Sequence, residues 1–463
     1  MSAPATTASL PPGPRDPFMG LQVARLLLQR DAYLGKLRRR YGDLFSLRVP
    51  GIGHVVVVTE PELIRQVLTG DPTVLEAGEG NEPLALVLGS RSLLLLDGAE
   101  HLSQRKLMLP PFHGANLERY RELMGQLSEE ALDTWPVGRP FALLPRMQAL
   151  TLEIIMRVVF DIQDRERLEE LRPHLRRVLA LVTSHQAIPR FVFRRVGGMR
   201  SWRAFHRALA AADEVLLAEI ARRRADPDLE ERSDIVAMLL RARDEDGHGM
   251  SDVALRDQLM TLLLAGHETT ATALAWTFER LLRNPEPLAR LEAEAREGEE
   301  DVYAGAVVTE ALRTRPPIPF IARRLTRPFE LGGYVIPRGT RIVPLILTVH
   351  HRRDLYPKAG AFEPERFLGT RPDTYGWLPF GGGIRRCIGA SFATLEMKVV
   401  LQTVLRRARF EAVTPRPERG MLHAIFFRPT RGGRVVLAER APARQASRRS
   451  SAPERCPAHS ATP

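Results

Sequence analysis

Apolar residues recur along this chain in two periods, and the change from one to the other marks the expected elements. Leu44–Val49 and His54–Val58 are short apolar runs of strand type, split by Pro50-Gly51-Ile52-Gly53, which predicts a hairpin. A helix is expected over Glu62–Leu68. From about Leu117 to Arg243 helical spacing dominates, with breaks expected at Pro136, Pro140, Pro145, Pro173 and Gly197-Gly198. The clearest helix is capped by Ser251 or Asp252, runs through Leu255, Leu259, Leu262 and Leu263 to about Leu282, and stops near Asn284-Pro285. Beyond Arg313 the texture turns to short strand pieces, Glu330–Ile336 and Arg341–Leu345. The fold class expected is mainly α with small β-sheets towards both ends.

The chain has 463 residues, 44% of them hydrophobic and 26% charged, which suits a full core and allows either several small domains or one large enzyme. The stiff Pro11-Pro12-Gly13-Pro14-Arg15 lead-in closes a flexible segment 1–15, and the Pro-, Ser- and Arg-rich segment 441–463 reads as a disordered basic tail. The formal charge is +12; Arg444, Arg448, Arg449 and Arg455 against Glu454 put +3 in that tail and leave +9 for the body. The arginines are dispersed and carry no nucleic-acid signature, so a nucleic-acid partner is not expected. A basic face for an acidic electron carrier would use part of that charge. The two cysteines, Cys387 and Cys456, imply no disulfide framework and a reduced compartment. No stretch reaches the ~20 apolar residues of a membrane span, since Leu21–Leu28 is short and interrupted by Arg25. The expectation is a soluble, cytoplasmic protein.

The chemistry concentrates in Phe380-Gly381-Gly382-Gly383-Ile384-Arg385-Arg386-Cys387-Ile388-Gly389. A thiol lies in a glycine-rich turn between arginines and before an apolar helix, surroundings that favour a thiolate. Gly383 would let the backbone approach a bulky planar group, Gly389 would leave room beside the sulfur, and Arg385 would meet a carboxylate of that group. Taken alone, Cys387 also reads as a small buried hydrophobe or a hydrolase nucleophile. Neither accounts for Phe380, Gly383 and Arg385 together. The spacing Phe-x-x-Gly-x-Arg-x-Cys-x-Gly resembles the haem-thiolate loop of the cytochrome P-450 superfamily.

That resemblance covers about Pro11 to Arg440 and implies a single domain, 16–440, with the family's triangular-prism fold. Cys387 would ligate the iron of haem b, with Phe380, Gly383, Gly389 and Arg385 around it. In the centre of the long helix, Ala265-Gly266-His267-Glu268-Thr269-Thr270 resembles the family's oxygen groove. Burying an acid and two hydroxyls is expensive without a purpose. By the match, Thr269 would hydrogen-bond dioxygen and Glu268 would connect it to bulk protons. The Ala-Gly pair would open the helix face, and a hydroxyl-induced bulge would widen it.

Two further groups follow the same order. Glu310-Ala311-Leu312-Arg313, with Phe362-Glu363-Pro364-Glu365-Arg366-Phe367, resembles the family's structural clamp and implies an assembly of Glu310, Arg313 and Arg366. His101 and Arg105, one helical turn apart, resemble the family's propionate-binding helix, and Arg323 would supply a further propionate partner beside Arg324. Leu84–Gly89, Leu264-Ala265, Pro317–Ile321 and Met421–Ile425 are the expected walls of an apolar pocket, with Ile188–Trp202 as a lid. The function implied is a bacterial-type monooxygenase that inserts one oxygen atom from dioxygen into a fatty acid, terpenoid, steroid or similar lipophile. Electrons would come from a ferredoxin or flavodoxin with its reductase. A non-catalytic haem-binding sensor or carrier is the competing reading, against which the Glu268-Thr269 pair argues.

Overall fold

A computed structural model of the chain describes residues 9–14, 30–49, 52–160, 165–182, 200–298 and 300–442. Its strands are β1 (Leu44–Val49), β2 (Gly53–Val58), β3 (Leu75–Glu76), β4 (Pro140–Ala142), β5 (Arg323–Leu325), β6 (Phe329–Leu331), β7 (Tyr334–Ile336), β8 (Arg341–Pro344), β9 (Ala408–Ala412), β10 (Gly420–His423), β11 (Phe426–Pro429) and β12 (Arg434–Arg440). Its helices are α1 (Arg30–Tyr41), α2 (Pro61–Thr69), α3 (Ala85–Leu88), α4 (Gly98–Met108), α5 (Ala115–Asp133), α6 (Leu143–Phe160), α7 (Arg165–Val182), α8 (Arg200–Arg224), α9 (Ile235–Arg241), α10 (Asp252–Leu281), α11 (Pro285–Glu297), α12 (Val302–Thr314), α13 (Ile346–His350) and α14 (Ala390–Arg407).

The hairpin expected from the first apolar runs forms, with Phe45 opposite Val57 and Leu47 opposite Val55. β2 then pairs with β8 in parallel, and the sheet runs β1-β2-β8-β5-β3. Glu330–Ile336, read as one strand piece, is a hairpin of β6 and β7. Gly332 and Gly333, at φ 59° and 80°, turn the chain where a side chain would be strained. The late strands β9 to β12 escaped the sequence reading because β9, β11 and β12 carry arginines and β10 is only four residues long.

α10 matches the expected helix closely. The Ser251 hydroxyl accepts from Ala254 N at 3.2 Å and caps its start. It is apolar nearly all round, and such a helix belongs in the interior. It lies along α6 and also touches α8, α12 and α14. Leu255, Leu259, Leu263, Leu274 and Trp276 are fully buried, each contributing about 1.5–3 kcal/mol by leaving water.

Two proline breaks need correction. Pro145 lies in the first turn of α6, where its missing N–H forgoes no helical bond. Pro173 lies inside α7, which continues through it. The break at Pro140 holds: this residue opens β4, an edge strand of the sheet β4-β12-β9 between α5 and α6. Among the described residues no helix is long and apolar enough to cross a membrane. Residues 1–8 and 15 of the lead-in segment, the Leu21–Leu28 stretch, most of Ile188–Trp202 with Gly197-Gly198, and nearly all of 441–463 lie outside the described residues.

Candidate active site

Cys387 lies between a tight turn at Gly383–Arg385 and the start of α14. Its backbone N–H donates to Phe380 O at 2.9 Å, which folds the loop back on itself. Phe380, half-buried, meets Trp377 edge-on at 5.9 Å. The thiol is open to solvent-sized space although protein surrounds it, so the sulfur faces an internal hollow. A Cβ added at Gly389 would meet nothing within 4 Å, which keeps space beside the sulfur. Gly383 does something other than expected. It has φ 63°, and a Cβ there would lie 2.0 Å from Leu68 O, so this glycine lets the loop dock on the end of α2.

The expectation of a favoured thiolate also needs correcting. Burial pushes the Cys387 thiol up, against the opposing pull of the Gly389 N–H, Arg105 and Arg386. The loop's donors offset desolvation only in part; a metal cation at the sulfur would complete the reversal.

The cationic groups converge on the same hollow from different elements. His101 and Arg105 come from α4, Arg323 from β5 and Arg385 from the cysteine loop. His101 is 2% exposed and its Nδ1 has no hydrogen-bond partner, nor has Gln104 Oε1 one residue before Arg105. Burial, then the charges of Arg385, Arg105 and Arg323, lower His101 to about 4, so it is neutral at pH 7. Burial and Arg385 bring Arg323 down to about 10. Arg323 faces inward while Arg324 pairs with Glu79 on the surface. Arg385 forms an ion pair with Asp97 and donates to the carbonyls of Leu93, at 3.1 Å, and Leu96. Asp97 in turn accepts from the N–H groups of Ala77, Gly78 and Glu79.

In the middle of α10, where the neighbouring residues are buried, Ala265 is exposed and Gly266 and Thr269 are half-exposed. This face is open without a bulge. α10 stays regular, and the Thr269 and Thr270 hydroxyls donate back to Ala265 O at 2.6 Å and Gly266 O at 3.1 Å. Only Ala265 of the small pair faces the opening; a Cβ at Gly266 would lie 3.1 Å from Ile155 of α6. Glu268, 1% exposed, has no direct contact with bulk water. It accepts from Gln148 Nε2 at 2.9 and 3.1 Å and pairs with Arg428.

Glu310, Arg313 and Arg366 come together. Arg313 donates to both Glu310 oxygens at 2.7 Å, and Arg366 Nε reaches Glu310 at 3.3 Å.

An orphaned buried imidazole, a converging set of cations and a sulfur facing an internal hollow fit a flat dianionic group with a metal at its centre. The family model described as Cytochrome P450 matches residues 11–435. The chain belongs to the cytochrome P450 family. "Putative cytochrome P450 137" of Mycobacterium tuberculosis is 43% identical over 425 residues, spanning 92% of this chain and 89% of that one. "Putative cytochrome P450 135B1" of Mycobacterium bovis is 42% identical over 439 residues, spanning 93% and 92%. Among solved structures, retinoic acid bound cyanobacterial CYP120A1 superposes with a TM-score of 0.80 at 24% identity, covering 94% of this chain and 100% of that one. The cytochrome P450DA heme domain gives 0.80 at 23%, covering 94% and 99%. This P450 is thus a haem-thiolate monooxygenase of mainly α fold with small sheets, using dioxygen and redox partners.

Sequence reasoning missed four polar residues of this P450: Asp97, Gln148, Glu396 and Arg428. Glu396 had a signal, an acid among Phe392, Leu395, Val399 and Val400 on one helix. It is fully buried, and burial raises its pKa well above 4.5, opposed in part by the neighbouring Thr270 hydroxyl. The unfolded chain ionises this carboxyl near 4.5, while the folded chain keeps the proton to higher pH. The stability it contributes is therefore complete below the unfolded value and lost as pH rises towards the folded one. In urea titrations of the haem-loaded protein, Glu396→Gln is expected to lose less stability than the parent between about pH 5 and 8, by ~1–3 kcal/mol. Parallel pH slopes would refute the assignment.

Proposed function

We propose that this P450 oxidises a hydrophobic small molecule such as a fatty acid, terpenoid or steroid, within one domain spanning 16–440 between the flanking segments 1–15 and 441–463. The observation that carries the reading is the opening at Ala265 and Thr269 in an otherwise buried helix. α14, which begins just after Cys387, brings Glu396 next to Thr270 on that same helix, so the opening and the sulfur belong to one neighbourhood. The walls expected near Leu84–Gly89, Pro317–Ile321 and Met421–Ile425 are apolar, which suits a lipophilic substrate.

Haem b would be held by Cys387, with its propionates towards His101, Arg105, Arg323 and Arg385 and with Phe380 and Gly389 beside the loop. Bound there, the haem supplies activation of dioxygen, leaving the protein to orient substrate, exclude water and meter protons. Neutral His101 donates from a ring nitrogen, and the guanidiniums offer charge that Asp97 alone does not balance. Thr269 Oγ1, on the open face, would pass a proton, and Glu268, the next residue along the helix, would replace it. Glu310, Arg313 and Arg366 hold the scaffold. A ferredoxin- or flavodoxin-type carrier with its reductase would supply electrons in the cytoplasm.

Titration of the ferric haem-loaded protein with dodecanoate tests the substrate class. A saturable low-spin to high-spin change is expected. No change, in a protein that keeps a thiolate-ligated haem spectrum, would exclude the fatty acid and turn attention to terpenoid and steroid probes.

A further inference from the structure

Away from the cysteine hollow, α5, α6 and α7 border a recess of about 300 Å³. α6 gives it Arg146, Ala149 and Glu153, spaced i, i+3 and i+7 along one face. The same helix turns a second stripe of that spacing towards α10. Gln148 Nε2 donates to Glu268 at 2.9 and 3.1 Å, Thr151 Oγ1 donates to His267 O at 3.0 Å, and Ile155 packs against Gly266. The two stripes are about half a turn apart. The recess thus lies behind α6, with the helix between it and the open face at Ala265 and Thr269. A molecule held there is not in position to be oxidised.

The base of the recess is apolar, with Leu127, Trp135, Leu150 and Leu152 all buried. Ala149, in the middle of α6, is exposed, because a methyl group there leaves the space open. The rim is charged. Arg172 of α7 is engaged with Glu153, donating to one of its oxygens at 2.9 and 3.2 Å, while Arg157 donates to the other at 3.1 Å. Glu130, on the solvent side, accepts from Gln126 at 2.9 Å. Arg146, half-buried on α6, and Arg176 on α7 have no acidic partner among the described residues. Two free guanidiniums against one exposed acid leave an excess of positive charge beside an apolar base. A carboxylate matches the guanidinium fork, and a hydrocarbon chain behind it would cover the base. An inorganic anion would leave the base wet, and a neutral lipophile would leave the cations unpaired. Small-molecule clefts run from ~300 to 1,000 Å³, so the recess suits a chain of medium length and is too small for the face of a folded partner.

We propose that the recess between α5, α6 and α7 is a second lipid site, which binds a medium-chain carboxylate behind α6 without turning it over. Arg146 and Arg176 hold the carboxylate, and Leu127, Trp135 and Leu150 receive the chain. The site is independent of what the haem pocket oxidises, since no residue of the recess belongs to the group around Cys387 or to the open face of α10.

The test is equilibrium dialysis of radiolabelled decanoate against the haem-loaded full chain, with the haem spin state recorded alongside. Arg146→Gln combined with Arg176→Gln should weaken one bound decanoate per chain by about tenfold or more. Its circular dichroism and its spin-state response to decanoate should match the parent, because neither arginine touches the haem pocket or a buried acid. Ala149→Phe fills the recess from an exposed position and should remove the same equivalent with both arginines in place. Decanol, which keeps the chain and lacks the charge, should bind the recess about tenfold more weakly than decanoate. Equal binding in the parent and both variants would overturn the site. Displacement of decanoate by inorganic phosphate at equal concentration would reduce it to a site for bare anions, and a loss seen in Ala149→Phe alone would refute recognition of the carboxylate. Should decanoate leave the spin state unmoved in every protein, the fatty-acid reading of the haem pocket fails, while loss of one equivalent in the two variants still upholds the recess.

Discussion

Cys387→Ala is expected to abolish NADPH-dependent oxidation, a loss of at least ~10³-fold, and to remove the ferrous–CO band of a thiolate-ligated haem, while the fold persists. The separation of effects follows from where the sulfur lies. It faces an internal hollow, so deleting it opens no packed cavity. The loop's shape comes from elsewhere: the Cys387 N–H bond to Phe380 O, the Gly383 contact with Leu68 and the Arg385–Asp97 pair survive the substitution. What vanishes is the one anionic ligand among Arg105, Arg386 and the Gly389 N–H. Circular dichroism and urea midpoint should therefore stay close to the parent while the optical signature is lost. A thiolate-type spectrum retained in Cys387→Ala would sink the ligand assignment, and a colourless parent protein would revive the hydrolase alternative.

The parts of this site that sequence made legible share one property: their chemistry is carried by residues near one another in the chain. The loop Phe380–Gly389, the helix stretch Ala265–Thr270 and the His101/Arg105 pair each present a spacing, and spacing survives translation into structure because turn and helix geometry are local. The fold class was legible for the same reason, since α10 announces itself by period and cap. What stayed hidden depends on distant partners. Asp97 takes part of the charge of Arg385 across 288 positions. Arg428 meets Glu268 across 160 positions, from a four-residue strand, Phe426–Pro429, with no alternation to announce it. Gly383 looked like space for a planar group because glycine marks a close approach without saying to what; here it is the Leu68 carbonyl. The absence of a helix bulge is similar. A threonine hydroxyl has one proton, and spending it on the carbonyl four residues back leaves the helix regular.

Glu310→Gln should cost this P450 ~3–5 kcal/mol, enough to consume much of the ~5–15 kcal/mol that holds a domain folded. Glu310 and Arg313 are both fully buried, and one carboxylate accepts two parallel bonds from Arg313, one from the Glu363 N–H at 2.9 Å and a longer one from Arg366. A glutamine cannot accept that fork, and a guanidinium is left in the interior without its counter-charge. In an isolated buried pair, replacing both members by apolar groups restores stability. Here the expectation differs, because Arg313 also donates to the carbonyls of His350 at 2.7 Å, Ala359 at 2.9 Å and Ala361 at 3.0 Å. Glu310→Met with Arg313→Met would leave three buried acceptors unpaired, at ~1–3 kcal/mol each, so the double variant should be worse than Glu310→Gln rather than rescued. The damage should also reach the haem. His350, pushed down to about 3 by burial and by His351, donates from Nδ1 to Arg313 O and accepts the Leu378 N–H at 2.7 Å, just ahead of the cysteine loop. Urea midpoints and Soret absorbance per chain should therefore fall together across these variants. A double variant as stable as the parent would show that the carbonyl contacts carry no weight and that Arg313 serves its acid alone.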